Sequence, residues 1–476
     1  MQAKVGGTSR RDFLAAGLLG AGTVSLGLVA YAKFARNDGA NQIRESMGPL
    51  RAANDETTGL PLLRLPEGFR YRTFSWAGTP LHDGHPVPAS ADGMGVVRQQ
   101  GSLVTLVRNH ELQGSSGPIG DPSRAYDTMP GGTTTMVFDT ERETLVDSWV
   151  SLGGTLYNCA GGVTPWGTWL SCEEAPLSPA LSHLPKSRKQ MYWDVDRARR
   201  EHGFVFEVPA TGVAEPEPIL AMGQFYHEAV AIDPDTGIAY MTEDNGPRAG
   251  FYRFLPSQPG RLQAGGRLQM MKVLDHPVMS DYLILGQEMD VEWVDIPDPE
   301  QGFTAGNRNG DGVVSQGLAA GGSAFVALEG CAFADGRVYF TSKLGGRAVA
   351  GYVLEYDPGR EKIWMIYESP GHRQFSGPDN IVVSPRGSLV ICEDRLDLNK
   401  AGQSIAGLTR SGEFFRFCQV NPDLDGSYAG HDLAATMLKS EWAGATFSQD
   451  GAWLFLNLYS PGVTLAITGP WQDGYL

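Results

Sequence analysis

Cysteine is scarce and unpatterned in this chain. There are five, Cys159, Cys172, Cys331, Cys392 and Cys418, with no C-x-x-C pair and no zinc spacing, and an odd number cannot all pair within one chain. At least one thiol is free or used. Positive charge is short as well: Lys+Arg 38 against Asp+Glu 54 leaves a net charge of -16. Such a balance repels nucleic acid and anionic membrane surfaces and suits a site that binds cations. No nucleic-acid partner is expected. Several catalytic signatures are missing too. No Walker loop, strand-linked G-x-G-x-x-G or G-x-S-x-G elbow follows the N-terminal segment, and His110 and His227 precede a Glu without forming H-E-x-x-H. Asn307-x-Asn309-x-Asp311-Gly312 starts like an EF-hand loop, but its twelfth position is Leu318 rather than Glu. A flexible Asn/Gly loop is the simpler reading.

What the chain does have is 476 residues, 42% of them hydrophobic, with 61 Gly and 30 Pro. Length excludes a peptide or a mini-protein, and this composition describes a sizeable core crowded with turns, closer to an all-β protein than to a helical bundle. At the N-terminus, Ser9-Arg10-Arg11-Asp12-Phe13-Leu14 precedes a weakly apolar stretch from Ala15 to Ala32 that ends in Ala30-Tyr31-Ala32, a small-x-small cleavage site. Twin arginines read as a Tat signal. Residues 1–35 are therefore expected to be an export signal handled by the Tat translocase, residues 36–60 a linker, and residues 61–476 the folded body. The mature protein is expected to be periplasmic or extracellular and monomeric, with no stable membrane span after cleavage.

Along the body, one pattern recurs: a hydrophobic strand, a turn ending in Gly, and a second hydrophobic strand. The copies run Gly95 to Glu111, Gly161 to Glu174, Ala229 to Asn245, Gly330 to Lys343, Ile381 to Asp394 and Ala445 to Tyr459. Their turn glycines are Gly101, Gly167, Gly237, Gly336, Gly387 and Gly451. Each can supply the positive φ of a tight hairpin without a Cβ penalty. A third hydrophobic segment follows five copies, among them GFVFEV at Gly203, GFYRFL at Gly250, GYVLEY at Gly351 and GEFFRF at Gly412. The sixth copy has no such follower, while GFRYRTF (Gly68 to Phe74) stands before the first. These features predict an all-β, six-bladed β-propeller closed by its N-terminal strand. Two β-sandwiches of three copies each are the alternative.

In a propeller, the start of each inner strand faces the channel. Seven to nine residues before the turn glycines stand Asp92, Asn158, Glu228, Glu329 and Asp379. On the returning strands lie Asn109 and Glu111, then Cys172 with Glu173 and Glu174, Glu243 with Asp244, and Glu393 with Asp394. Converging carboxylates repel and are costly to bury unpaired, so such a ring calls for cations. Oxygen ligands suit calcium, magnesium or manganese, and a thiolate among them suits a transition metal such as iron.

These residues resemble the PhoX-type alkaline phosphatases, Tat-exported six-bladed propellers that contain iron and calcium. The most specific stretch is Asn158 to Glu174 (NCAGGVTPWGTWLSCEE), supported by Arg108 to Glu111, His227 to Asn245, Gly377 to Gly387 and Phe455 to Trp471. The resemblance implies that Cys172 ligates iron, that Glu111, Glu173 and Glu228 belong to the metal cluster, and that Glu329 and Asp379 complete it. Asn109 and Asn158 are then expected to orient ligands or substrate, a small phosphate ester. One departure stands out. Where the resemblance leads to F-x-R-x-E-G, this chain has Phe325-Val326-Ala327-Leu328-Glu329-Gly330. Ala327 cannot make the bidentate phosphate contact of an Arg, so Arg248, Arg347 or Arg395 would have to replace it, or the substrate is not an ordinary phosphomonoester. A calcium-dependent lactonase resembling the gluconolactonases and a non-enzymatic binding propeller are the rival readings.

Overall fold

The computed structural model describes residues 47–181, 195–279, 283–304, 309–395 and 402–476. The expected export signal and Asn307 lie outside the described residues. Among those residues the α-helices are two short ones, Gly312–Ala319 and Leu433–Met437, and no helix is long and apolar enough to cross a membrane. The chain is all-β.

Each of the six copies forms an antiparallel hairpin. The pairs are Ala91–Gln100 with Leu103–His110, Asn158–Val163 with Thr168–Glu173, and His227–Ile232 with Ala239–Glu243. Leu328–Ala334 with Arg337–Ser342, Pro378–Val383 with Leu389–Glu393, and Trp442–Phe447 with Leu454–Leu458 complete the set. All six turn glycines have φ between +58° and +83°, the region that penalises any residue with a Cβ. The first strands of the six hairpins touch in cyclic order, the sixth packing back against the first. This ring gives a propeller-like arrangement and rules out two separate sandwiches.

Outward from the ring the sheets differ. The first is four-stranded, adding Gly131–Asp139 and Thr144–Thr155, and the second is three-stranded, adding Val205–Pro209. The third and fourth hairpins share one nine-stranded sheet, because Met289–Asp295 pairs with Gly266–Val273 on one edge and with Lys362–Glu368 on the other. In the fifth, the third strand is Ser404–Leu408, and the GEFFRF segment expected there falls in the fourth, Phe414–Val420. Leu63–Leu65 and Arg51–Ala53 extend that sheet, so part of the stretch expected as a linker is strand. The sixth copy does have a third strand of its own, Val463–Thr468, and Arg70–Phe74 pairs beyond it as the fourth.

The core lies between sheets rather than at the centre of the ring. Alternation places Val338 and Phe340 on one face of their strand and Tyr339 on the other, so each strand feeds the two neighbouring interfaces. Phe340 stacks on Phe251 at 4.1 Å between ring centroids, and Phe74, Phe138, Trp453 and Phe455 fill the gap between the sixth and first sheets. Each such ring contributes roughly 1.5–3 kcal/mol by leaving water.

Near the axis the strands approach so closely that side chains are excluded. A Cβ at Gly162 would lie 1.8 Å from the carbonyl oxygen of Val230, and one at Gly93 would lie 2.5 Å from the Cα of Ala160. Substituting Gly162→Val should therefore cost about 3 kcal/mol, the upper end of overpacking effects, read as a fall in the urea midpoint. A variant within about 1 kcal/mol of wild type would show that the ring tolerates a wider spacing.

Candidate metal centre

The same irregularity interrupts all six hairpins near the axis. The register slips between Ala91 and Met94, Asn158 and Gly161, His227 and Val230, Leu328 and Cys331, Pro378 and Ile381, and Ala443 and Thr446. A β-bulge re-aims the side chains next to it. In the first five strands the residue after the start of the bulge is Asp92, Cys159, Glu228, Glu329 and Asp379, and all five line one cavity of about 500 Å³. The sixth strand begins differently: Glu441, just before Trp442, supplies its carboxylate.

A second tier comes from the returning strands. The residue that follows the last strand position is Glu111, Glu174, Asp244, Lys343, Asp394 and Tyr459 in turn, and each lines the same cavity. Gln113 and Tyr157 complete the wall. Among the described residues, nine carboxylates and one ammonium thus face a single space. Burial, reinforced by neighbouring carboxylates, pushes Asp92, Glu228 and Glu441 well above the usual carboxylate range. Burial likewise raises Glu329, Glu111 to about 7 and Asp379 to about 6. The Cys159 thiol is pushed up by burial and by Glu228. Without counter-charge the most strongly raised of these groups hold protons; a cation is the other way to relieve them.

The donors fit metal ions. Ligand atoms lie within 4.8 Å of one another in four groups: Cys159, Glu174 and Glu228; Asp92, Glu111 and Glu441; Glu228, Glu329 and Asp379; and Asp379, Asp394 and Glu441. One group offers sulfur and the others only oxygen, the sets preferred by a transition metal and by hard divalent ions. In addition, Glu329 Oε1 is buried and accepts no hydrogen bond.

Of the residues expected from sequence, Glu111, Glu228, Glu329 and Asp379 come together in this cavity, with Asp92, Glu174, Asp244 and Asp394 of the repeat register, while Cys172, Glu173, Glu243, Glu393, Asn109 and Asn158 do not line it. Cys172 is buried in the apolar core between the second and third sheets, and the thiol at the cavity is Cys159. Glu173 is an internal anchor. It accepts from the backbone N–H groups of Leu156 at 2.8 Å, Gly203 at 2.8 Å and Phe204 at 3.2 Å, and meets His202 Nδ1 at 2.7 Å. Glu243 and Glu393 serve alike, accepting from the N–H groups of Gly250 and of Ser376 and Ser404. In each acidic pair the first residue ties the following loop and the second faces the cavity. Asn109 donates to the carbonyls of Cys159 and Ala160 and accepts from Trp169 and Ser171, so it positions the strand that carries Cys159. Asn158 binds Thr155 and Ser171 and is fully buried. Neither amide reaches the cavity.

The three arginines considered as substitutes for Ala327 do not line the cavity either. Arg347 pairs with Glu368 on the surface, and Arg395 donates to the carbonyl of His372. Among the described residues the cation at the cavity is Lys343, whose backbone N–H donates to the Ala327 carbonyl at 2.9 Å. Its Nζ touches Asp394 and stands 3.6 Å from Asp379 and 3.8 Å from Glu329. At the opposite end of the ring a space of about 650 Å³ is lined by Gly95, Gly162, Ile232, Ala334 and Val383 and gathers no such cluster.

The fold and the site define a propeller-like β-protein with an acidic cavity at one mouth of its ring, and comparison with known families narrows that class. The model of the alkaline phosphatase PhoX family matches residues 46–146 and 128–462, and the chain belongs to that family. No curated protein matches. Among solved structures, a gluconolactonase of Xanthomonas campestris is similar at 13% identity and a TM-score of 0.41, over 90% of this chain and all of that one. The PQQ domain of pyranose dehydrogenase from Coprinopsis cinerea is similar at 9% identity and a TM-score of 0.32, over 87% of this chain and all of that one.

The acidic pairs make a separable prediction. Burial alone would lower His202, but Glu173 and Asp127 on either side lift it to about 9. Its contribution to stability is therefore full below its ordinary value near 6.5 and is lost as pH rises through about 9. At pH 7, Glu173→Gln should cost about 3 kcal/mol in urea unfolding, and the gap from wild type should narrow above pH 9. Glu174→Gln, at the cavity wall, should cost less than about 1 kcal/mol. Equal losses from the two would contradict the division of labour.

Proposed function

We propose that this chain is a metal-dependent phosphatase that hydrolyses small phosphate esters in the acidic cavity, using iron and calcium. The observation that carries this reading is the convergence of nine carboxylates and one thiol on one cavity in a PhoX-family chain. We read the nine-stranded sheet as two blades bridged by Met289–Asp295, which makes six blades in all. The pairing of Arg70–Phe74 with Val463–Thr468 then closes the ring with the N-terminal strand. The twin-arginine segment supports export through the Tat translocase to a periplasmic or extracellular location, and a monomer suffices because the cavity is built within one chain.

Iron belongs with Cys159, Glu174 and Glu228, the group that offers sulfur; calcium belongs with the all-oxygen group of Asp92, Glu111 and Glu441. When bound, these ions supply the positive charge that holds phosphate oxygens and polarises P–O bonds. The chain supplies the rest. Tyr157, raised first by Glu111 and then by burial, and Tyr459, raised by burial and Glu111, keep their phenol protons and present O–H donors to an ester bound between them. Gln113 offers a neutral amide at the same wall. Asn109 and Asn158 act by holding the strand that bears Cys159 in place. Lys343, rather than an arginine, provides the side-chain cation.

The all-oxygen groups also suit a calcium-dependent lactonase, which needs no thiolate. Elemental analysis of the exported protein separates the two. Iron near one per chain together with calcium supports the phosphatase, and calcium without iron supports the lactonase. Cys159→Ser should lose iron and reduce hydrolysis of p-nitrophenyl phosphate by at least about 100-fold, while Cys172→Ser should retain both. The reverse pattern would return the iron ligand to Cys172.

A further inference from the structure

We propose that the ammonium of Lys343 is a built-in cation of the cavity, standing where the fold would otherwise hold a metal ion between Glu329, Asp379 and Asp394. This inference rests on the metal-dependent reading above. It starts from position: Lys343 follows the end of Arg337–Ser342, the place at which four other returning strands put Glu111, Glu174, Asp244 and Asp394. One of six equivalent places has therefore exchanged an acid for a base.

The contacts say what that base does. Its Nζ reaches three carboxylates, touching Asp394 and lying 3.6 Å from Asp379 and 3.8 Å from Glu329. Those carboxylates make up two members of the Glu228, Glu329 and Asp379 group and two members of the Asp379, Asp394 and Glu441 group. The remaining two groups, Cys159 with Glu174 and Glu228, and Asp92 with Glu111 and Glu441, share none of the three. A divalent ion and an ammonium held by the same carboxylates would repel each other at a separation of a few ångströms. The cavity is thus divided: one side is open to exchangeable ions, and the other is satisfied by a charge that no chelator removes. Glu329 Oε1, which accepts no hydrogen bond, is the oxygen nearest the ammonium on that residue, so the pairing is a charge contact that a metal could replace.

The test is metal content per chain, by plasma mass spectrometry, of the exported wild type, Lys343→Met and Lys343→Arg, each with a thermal melt before and after a chelator. The expected result is about one additional divalent ion per chain in Lys343→Met, a larger chelator-induced drop in its melting temperature, and an unchanged count in Lys343→Arg. A folded Lys343→Met with the wild-type count or fewer, in a wild type that holds metal, would overturn the inference and leave the metallophosphatase reading standing. A metal-free wild type whose Met variant acquires an ion would do the opposite. Metal absent from all three would overturn both. If Lys343→Met folds only when calcium is supplied, the inference holds; if calcium does not restore it, the inference fails.

Discussion

Mutual repulsion among carboxylates is the constraint around which this molecule is arranged. Nine of them share a cavity of about 500 Å³ at one mouth of the ring, and burial together with the neighbouring carboxylates drives most of them above their ordinary range. A fold that concentrates charge in this way must be stiff enough to resist its spreading apart. The stiffness comes from the small residues beside the axis, where Gly93 and Gly162 let neighbouring strands approach to contact. It also comes from the buried anchors Glu173, Glu243 and Glu393, which tie each following loop to the end of the strand that presents a cavity residue. Charge at the centre and aromatic packing between sheets are thus two halves of one arrangement: the periphery holds the groups that the centre would push apart.

Most of the architecture was legible because hairpin turns leave a mark that does not depend on neighbours. A glycine with positive φ after a hydrophobic run locates a turn wherever the strand sits in the ring, and all six such glycines were found. The outer strands were harder, because their partners are set by tertiary contacts. The GEFFRF segment reads like the other third strands yet lies fourth, after Ser404–Leu408, and Val463–Thr468 forms a third strand in the sixth sheet, where the repeat pattern predicts none. The bridging strand Met289–Asp295 leaves no local sign that it joins two hairpins in one sheet.

The acidic ring of the site was legible, but its thiol was not: the resemblance points to Cys172, which lies in the apolar core, while Cys159 lines the cavity. Counting back from the turn glycines lands on Asn158, but successive side chains on a strand face opposite sides, so the neighbour Cys159 is the one at the cavity. The register names both Glu173 and Glu174, and the resemblance points to Glu173, whereas Glu174 is the one that lines the cavity. A count from the strand ends rather than from the turns would have singled it out, since the cavity residue directly follows each returning strand. Glu441 lies ten residues before Gly451, beyond the seven to nine that separate the other carboxylates from their turns, and Lys343 is a base where the repeat pattern is acidic. Its backbone N–H pairs with the carbonyl of Ala327, the position at which the family resemblance leads to an arginine.

The central claim is that cations, not protons, neutralise the acidic cavity of this PhoX-family chain. Anomalous diffraction from crystals of the exported protein, recorded at the iron edge and at a wavelength sensitive to calcium, tests it most directly. The account predicts an iron peak against Cys159, Glu174 and Glu228, and a calcium peak among Asp92, Glu111 and Glu441. A cavity without peaks, its carboxylates paired through short hydrogen bonds, would contradict it.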